Sequence, residues 1–216
     1  LEVLRNPVTF HRLIFTTCCF VSAAAATAQT NLHPGAETEQ VETGTVPASL
    51  IYPDTELREL KPAQSLRQYR IRLLPVSSFP QLPAPVAQQL AQRGCMVPQT
   101  YEARQPENVI HGSFEKKGSS DWAALCSVNR VTTLYVFFQS DLPNAIPLRH
   151  QPDSQWLGVE WSLDYGSAWG IATHPARLMP PAGNADHDGI DDSFIEKSTN
   201  LHYFNDGNWT TLEPQP

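Results

Sequence analysis

Cysteine is scarce in this 216-residue chain: four in all, with Cys18 and Cys19 near the start and only Cys95 and Cys126 further along. A fold of this length can rest on a buried core, so any disulfide is an addition to that core and not its substitute. After the first 28 residues no apolar run approaches the roughly 20 residues of a membrane helix, which argues against a membrane span. No basic stripe is present either. From residue 29 onward 13 basic residues face 21 acidic ones, a net charge of −8, which argues against nucleic acid and anionic membrane surfaces as partners. No repeat of fixed period points to a solenoid. His111, His150, His174, His187 and His202 form no H-x-x-x-H or H-x-x-E-H pair, so a zinc site would have to be assembled by the fold. Neither Ser127 nor Ser167 sits in a G-x-S-x-G elbow. No catalytic constellation rises above background.

What is present begins at the N-terminal end. Arg5, His11 and Arg12 precede an apolar run from Leu13, and the run closes in small residues up to Ala28 before the polar Gln29-Thr30-Asn31. Charge, grease and small residues in that order predict a secretory signal at residues 1–28 with an A-x-A cleavage site, and hence a periplasmic or extracellular protein. Thr17 before Cys18, with Phe20-Val21 continuing the run, speaks against lipidation of Cys18. Residues 29–46 are rich in Thr, Glu, Gln, Gly and Ala and predict a flexible leader; residues 47–216 fit a single exported domain. In an oxidising compartment Cys95 and Cys126 most simply pair with each other. A free catalytic thiol is the competing reading.

Tyr69, Ile71 and Leu73 alternate with Arg70 and Arg72, the pattern of a half-buried strand with a charged outer face; a short helix is the competing reading, and Pro75 ends either. Pro83-Ala84-Pro85, then Val86, Leu90 and Ala91 on one face, then Gly94, predict a helix over 83–93 with a left-handed C-terminal cap. Asn108–Phe114, Trp122–Val128 and Val131–Phe138 read as strands, the last as a central strand covered on both faces. Asn129-Arg130 turns between two of them. Trp156–Leu163 and Ser167–Thr173 suggest a hairpin through Asp164-Tyr165-Gly166, and Asp206-Gly207 marks another near the end.

Four phrases in fixed order carry a resemblance: Arg93-Gly94-Cys95-Met96-Val97-Pro98-Gln99, Asn108 to Phe114, Asp121-Trp122-Ala123-Ala124-Leu125-Cys126-Ser127, and Asp186-His187-Asp188-Gly189-Ile190-Asp191-Asp192. Together they resemble a family of uncharacterised exported bacterial proteins over roughly residues 82–212. The resemblance implies export and a single domain, and no chemistry. Gly112-x-Phe114 through Gly118 to Asp121-Trp122-Ala123-x-Leu125 is also similar to FG-GAP propeller repeats, although Glu115 to Ser120 lacks the usual carboxylates of their calcium loop.

The segment from Asn184 to Asp192 is the candidate ion site. Asp186 and Asp188 would be the primary ligands of a calcium ion, with Asp191 or Asp192 completing the shell and Gly189 supplying the bend. The spacing is not that of an EF-hand, because the twelfth position from Asn184 is Ile195. The competing reading is a solvated turn whose Asp191 or Asp192 caps a short helix over 193–197. Trp156, Trp161, Tyr165 and Trp169 gather near Asp153, Glu160 and Asp164, a composition suited either to core packing or to sugar stacking, with Glu160 and Asp164 imitating a glycosidase pair.

These features lead to an α+β domain: an antiparallel sheet, one or two short helices packed on it, and a Cys95–Cys126 bridge. The expected function is a non-enzymatic exported module that binds a protein or polysaccharide partner, steadied by calcium if the acidic loop holds it. The alternative is a hydrolase acting on cell-envelope or extracellular polymer, which a cleft gathering His111 or His202 with a carboxylate and a nucleophile would favour.

Overall fold

β-branched and aromatic runs separated by turn residues build two sheets in the computed structural model, which describes residues 38–51, 67–159, 164–179 and 185–212. The expected signal at 1–28, together with Glu160, Trp161 and Asn184, lies outside these described residues.

The first sheet has the order β7 (Ile146–Pro152), β6 (Val131–Phe137), β5 (Asp121–Val128), β3 (Met96–Pro98), β2 (Gln68–Pro75), β9 (Tyr165–Ser167) and β8 (Leu157–Val159). In addition β1 (Gln40–Thr45) pairs with β2, and β4 (Val109–Gly112) with β5. The second sheet runs β10 (Trp169–His174), β11 (Gly189–Phe194), β12 (Ser198–Asn205) and β13 (Asn208–Leu212). Among the described strands every ladder is antiparallel except the Tyr69↔Tyr165 contact between β2 and β9, and an isolated parallel bridge joins Thr100 and Ser167. The fold is therefore mostly β, with two sheets where composition suggested one.

The helix forms at Ala84–Gln92. Pro83 and Pro85 occupy positions whose N–H groups an α-helix leaves unpaired, so their missing donors cost nothing. At the other end Gly94 takes φ 74°, and Cys95 N donates to Leu90 O while Gly94 N donates to Ala91 O. That pair of bonds is a Schellman cap, and it aims Cys95 back at the sheet. Val86 and Leu90 are fully buried against Phe79, Leu82, Val97 and Phe137. Burying each such side chain contributes about 1.5–3 kcal/mol.

β5 is the strand covered on both faces. Ala124 and Cys126 meet the helix side, whereas Ala123 and Leu125 join Phe114, Leu134, Val136 and Trp169 between the two sheets. Sequence pattern assigned that role to β6, which is indeed paired on both edges but leaves Thr133 and Tyr135 partly exposed. The Cys95–Cys126 disulfide ties the residue after the helix cap to β5.

Three further expectations differ from the structure. Gln40–Thr45, assigned by composition to the leader, form β1 in register with Gln68–Leu73, and Val46 is buried; backbone pairing orders this segment with little apolar burial. The expected hairpin forms between β8 and β9 with Leu157 opposite Ser167, but Tyr165 and Gly166 lie in β9 and not in the turn, and Trp169 onward crosses to the second sheet. No helix forms over 193–197: Ile190, Asp192 and Phe194 alternate with Asp191 and Ser193 as β11. The acidic residues disguised that period of two. The turns behave as read, with Asn129 and Arg130 at φ 52° and 66°, and Asp206 and Gly207 at 49° and 82°.

Candidate functional site

A groove of about 230 Å³ opens where the chain passes from the β2 ladder to the β9 ladder. Gln99 N donates to Arg72 O at 2.8 Å, and two residues later Tyr101 N donates to Ser167 O at 2.8 Å. Thr100 and Tyr101 thus form one wall, Tyr165 and Gly166 a second, and the outward face of β2 brings Arg70 and Arg72. The alternation that buries Tyr69, Ile71 and Leu73 is what turns these two arginines outward.

The wall is held rigidly. Gln99, 1% exposed, donates to Val97 O and Glu107 O at 3.1 Å and accepts from Glu107 N at 2.8 Å, while Thr100 N donates to the Glu107 carboxylate at 2.8 Å. Tyr101 lies in a glycine cradle: a Cβ at Gly158 would collide with its ring, and one at Gly166 would sit 2.9 Å from its Cβ. Burial, reinforced by the Glu196 and Glu102 carboxylates, pushes the Tyr101 hydroxyl up to about 12. Two polar atoms on the groove residues are buried without a hydrogen-bond partner, Thr100 Oγ1 and Arg72 Nε. Arg72 Nε meets Glu39 only as a 3.8 Å ion pair between half-exposed side chains.

The four carboxylates of the acidic segment go to four different neighbourhoods. Asp186 lies beside His187 Nδ1 at 2.9 Å, whose hydrogen bond holds the Asp186 carboxyl below its usual range. Asp188 accepts from Ser113 N and from Ala176 N, both at 3.0 Å, pinning two loops. Asp191 pairs with His174 at 3.0 Å on one face of β11. Asp192, on the other face and fully buried, accepts from Trp169 Nε1 (2.6 Å), Arg149 (2.9 Å) and His202 Nε2 (3.0 Å). Among the described residues no group of three or more His, Cys, Asp or Glu is placed to hold a metal ion.

Asp192 shows how a charge survives between two sheets. Burial alone would raise its pKa, but the His202 hydrogen bond and the Arg149 charge outweigh burial and hold it below the usual value. Arg149 reaches it from β7 while lying over the Trp156 ring at 4.5 Å. The Thr211 hydroxyl lies 2.9 Å from His202 Nδ1, giving a hydroxyl–imidazole–carboxylate line. Two further donors on Asp192 make that line a neutralised anchor between the sheets.

Trp156 and Trp169 stack on each other at 4.8 Å inside the core, so among the described residues of the aromatic cluster only Tyr165 lines the groove. Asp164 also lines the groove, while its imagined partner Glu160 lies outside the described residues. His111, stacked on Trp122 at 4.7 Å, has Ser120 Oγ 2.8 Å from its Nε2. Asp121 closes the turn after Phe114 by accepting from Glu115 N, Gln139 N and the Ser119 hydroxyl.

Sequence reading missed two features. Asn108, 2% exposed at φ 68°, joins the sheets by donating to Pro98 O and Trp169 O and accepting from Ile171 N. Glu42 accepts from the Tyr69 hydroxyl at 2.8 Å. Burial, with the nearby Asp153 carboxyl, pushes Glu42 up to about 7 against the lowering effect of Tyr69. Asp153 itself is held by Ser127 at 2.5 Å and Thr132 at 2.6 Å. No protein-family model, no curated protein and no solved structure matches the chain.

Proposed function

We propose that the chain is an exported, non-enzymatic binding module that takes a polar ligand into the Arg70–Arg72–Tyr101 groove. The observation that carries this reading is two buried polar atoms without a hydrogen-bond partner on groove-lining residues, Thr100 Oγ1 on the braced wall and Arg72 Nε on the β2 face. A buried polar atom without a partner costs about 1–3 kcal/mol, and a ligand that completes its hydrogen bond recovers that cost. Export is supported by the basic, apolar and small-residue order of residues 1–28 and by the disulfide, which suits an oxidising compartment.

The reading is tested by following backbone amide signals while small sugars, sugar acids and amino acids are added. Shifts clustered on Thr100, Tyr101, Tyr165 and Gly166 are expected from at least one compound class. Shifts elsewhere, or none, contradict it. The hydrolase alternative has one observation in its favour, the Thr211–His202–Asp192 line. It requires ester or amide hydrolysis that disappears in Thr211→Val.

A further inference from the structure

We infer that the ligand of the groove is a sugar acid, a single polyhydroxylated ring bearing a carboxylate; this rests on the groove being the binding site. Arg70 and Arg72 lie two positions apart on one strand face, about 6.6–6.8 Å along β2, and both line the groove. A guanidinium presents planar paired donors that match a carboxylate in bidentate fashion. One of the two, Arg72, keeps a buried Nε with no hydrogen-bond partner, its nearest carboxylate being Glu39 at 3.8 Å, too long for a hydrogen bond.

The charge balance selects among anions. Asp164 lines the same groove and Glu39 stands 3.8 Å from Arg72, so two carboxylates offset the two arginine charges, which disfavours a dianionic phosphate ester more than a singly charged carboxylate. The remaining features suit hydroxyl groups. Thr100 Oγ1 is a buried hydroxyl able both to donate and to accept, and it has no partner in the protein. Tyr101, fixed by its glycine cradle, and the largely buried Tyr165 line the groove with it. Size completes the assignment. At about 230 Å³ the groove is smaller than the roughly 300–1,000 Å³ of drug-sized sites, so it takes one ring, and its open side leaves room for that ring to belong to a longer chain.

The test is calorimetric titration of the full disulfide-bonded protein with glucuronate, glucose and inorganic phosphate. Saturable glucuronate binding is expected, with glucose and phosphate each at least tenfold weaker and glucuronate affinity reduced at least tenfold in Arg72→Gln. Arg70→Gln, at an exposed position, gives the same comparison should Arg72→Gln fail to fold. Equal binding of glucose and glucuronate, with amide shifts still confined to the groove, overturns the sugar-acid assignment and leaves the groove as the site. Phosphate binding without glucuronate binding overturns the assignment in favour of an inorganic anion. Absence of binding by all three with no groove shifts from any compound class overturns both readings, and glucuronate binding unchanged in both arginine variants places the ligand elsewhere.

Discussion

The indole of Trp169 donates to Asp192 across 2.6 Å, joining neighbouring strands of the second sheet through a carboxylate with no solvent exposure. Arg149 and His202 complete its shell from β7 and β12. Removing one partner of a buried charge network strands the others, at a cost of about 3–5 kcal/mol. Asp192→Ala is therefore expected to lower unfolding free energy by that amount in urea titrations. A loss below about 1 kcal/mol would show that the network is solvated and not an anchor.

Glu42 gives the protein a pH dependence of unusual sign for a carboxylate. Its folded pKa of about 7 exceeds its ordinary value of 4.5, so the native state retains a proton that the unfolded chain has released. The stabilisation is complete below 4.5 and is lost as pH rises through 7. Because Glu42 is partly exposed, solvent screening reduces the effect to about 1 kcal/mol. Denaturation at pH 5 and pH 8 should show this decline in the parent protein, and Glu42→Gln should flatten it. The same slope in the variant would assign it to another group.

The Cys95–Cys126 bridge, with Cα atoms 5.0 Å apart, closes a loop of 31 residues. The chain-entropy relation gives about 3–4 kcal/mol for that closure. Mass measurement with thiol labelling is expected to find no free cysteine in the native protein, and reduction should lower the melting temperature. Two labelled thiols in native protein would contradict the pairing.

Asp188 uses both carboxylate oxygens on backbone amides of Ser113 and Ala176. Asp188→Ala is thus expected to destabilise by about 1–3 kcal/mol equally with and without calcium, since the lost partners are protein donors. A melting temperature that rises on adding calcium, and does so only with Asp188 present, would contradict this and support the ion-site reading.

What was legible in the sequence is what local chemistry dictates. The Tyr69–Leu73 alternation, the Pro83–Gly94 helix and its cap, and the Asn129-Arg130 and Asp206-Gly207 turns each follow from a handful of adjacent residues. The cysteine pairing was legible because only Cys95 and Cys126 follow residue 28. Features created by long-range contact were not legible. β1 carries few apolar residues and is ordered by its ladder to β2. The hydrogen bonds of Asp192 to Arg149 and Trp169 reach 43 and 23 residues along the chain, beyond any local pattern. The groove joins β2, the stretch after β3 and β9, and no local motif links the three.

The most direct measurement is a crystal structure of the protein grown with glucuronate. The account predicts a carboxylate on the Arg72 guanidinium, a sugar hydroxyl on Thr100 Oγ1 and the ring against Tyr165. A groove without the sugar while glucuronate occupies another surface would contradict it.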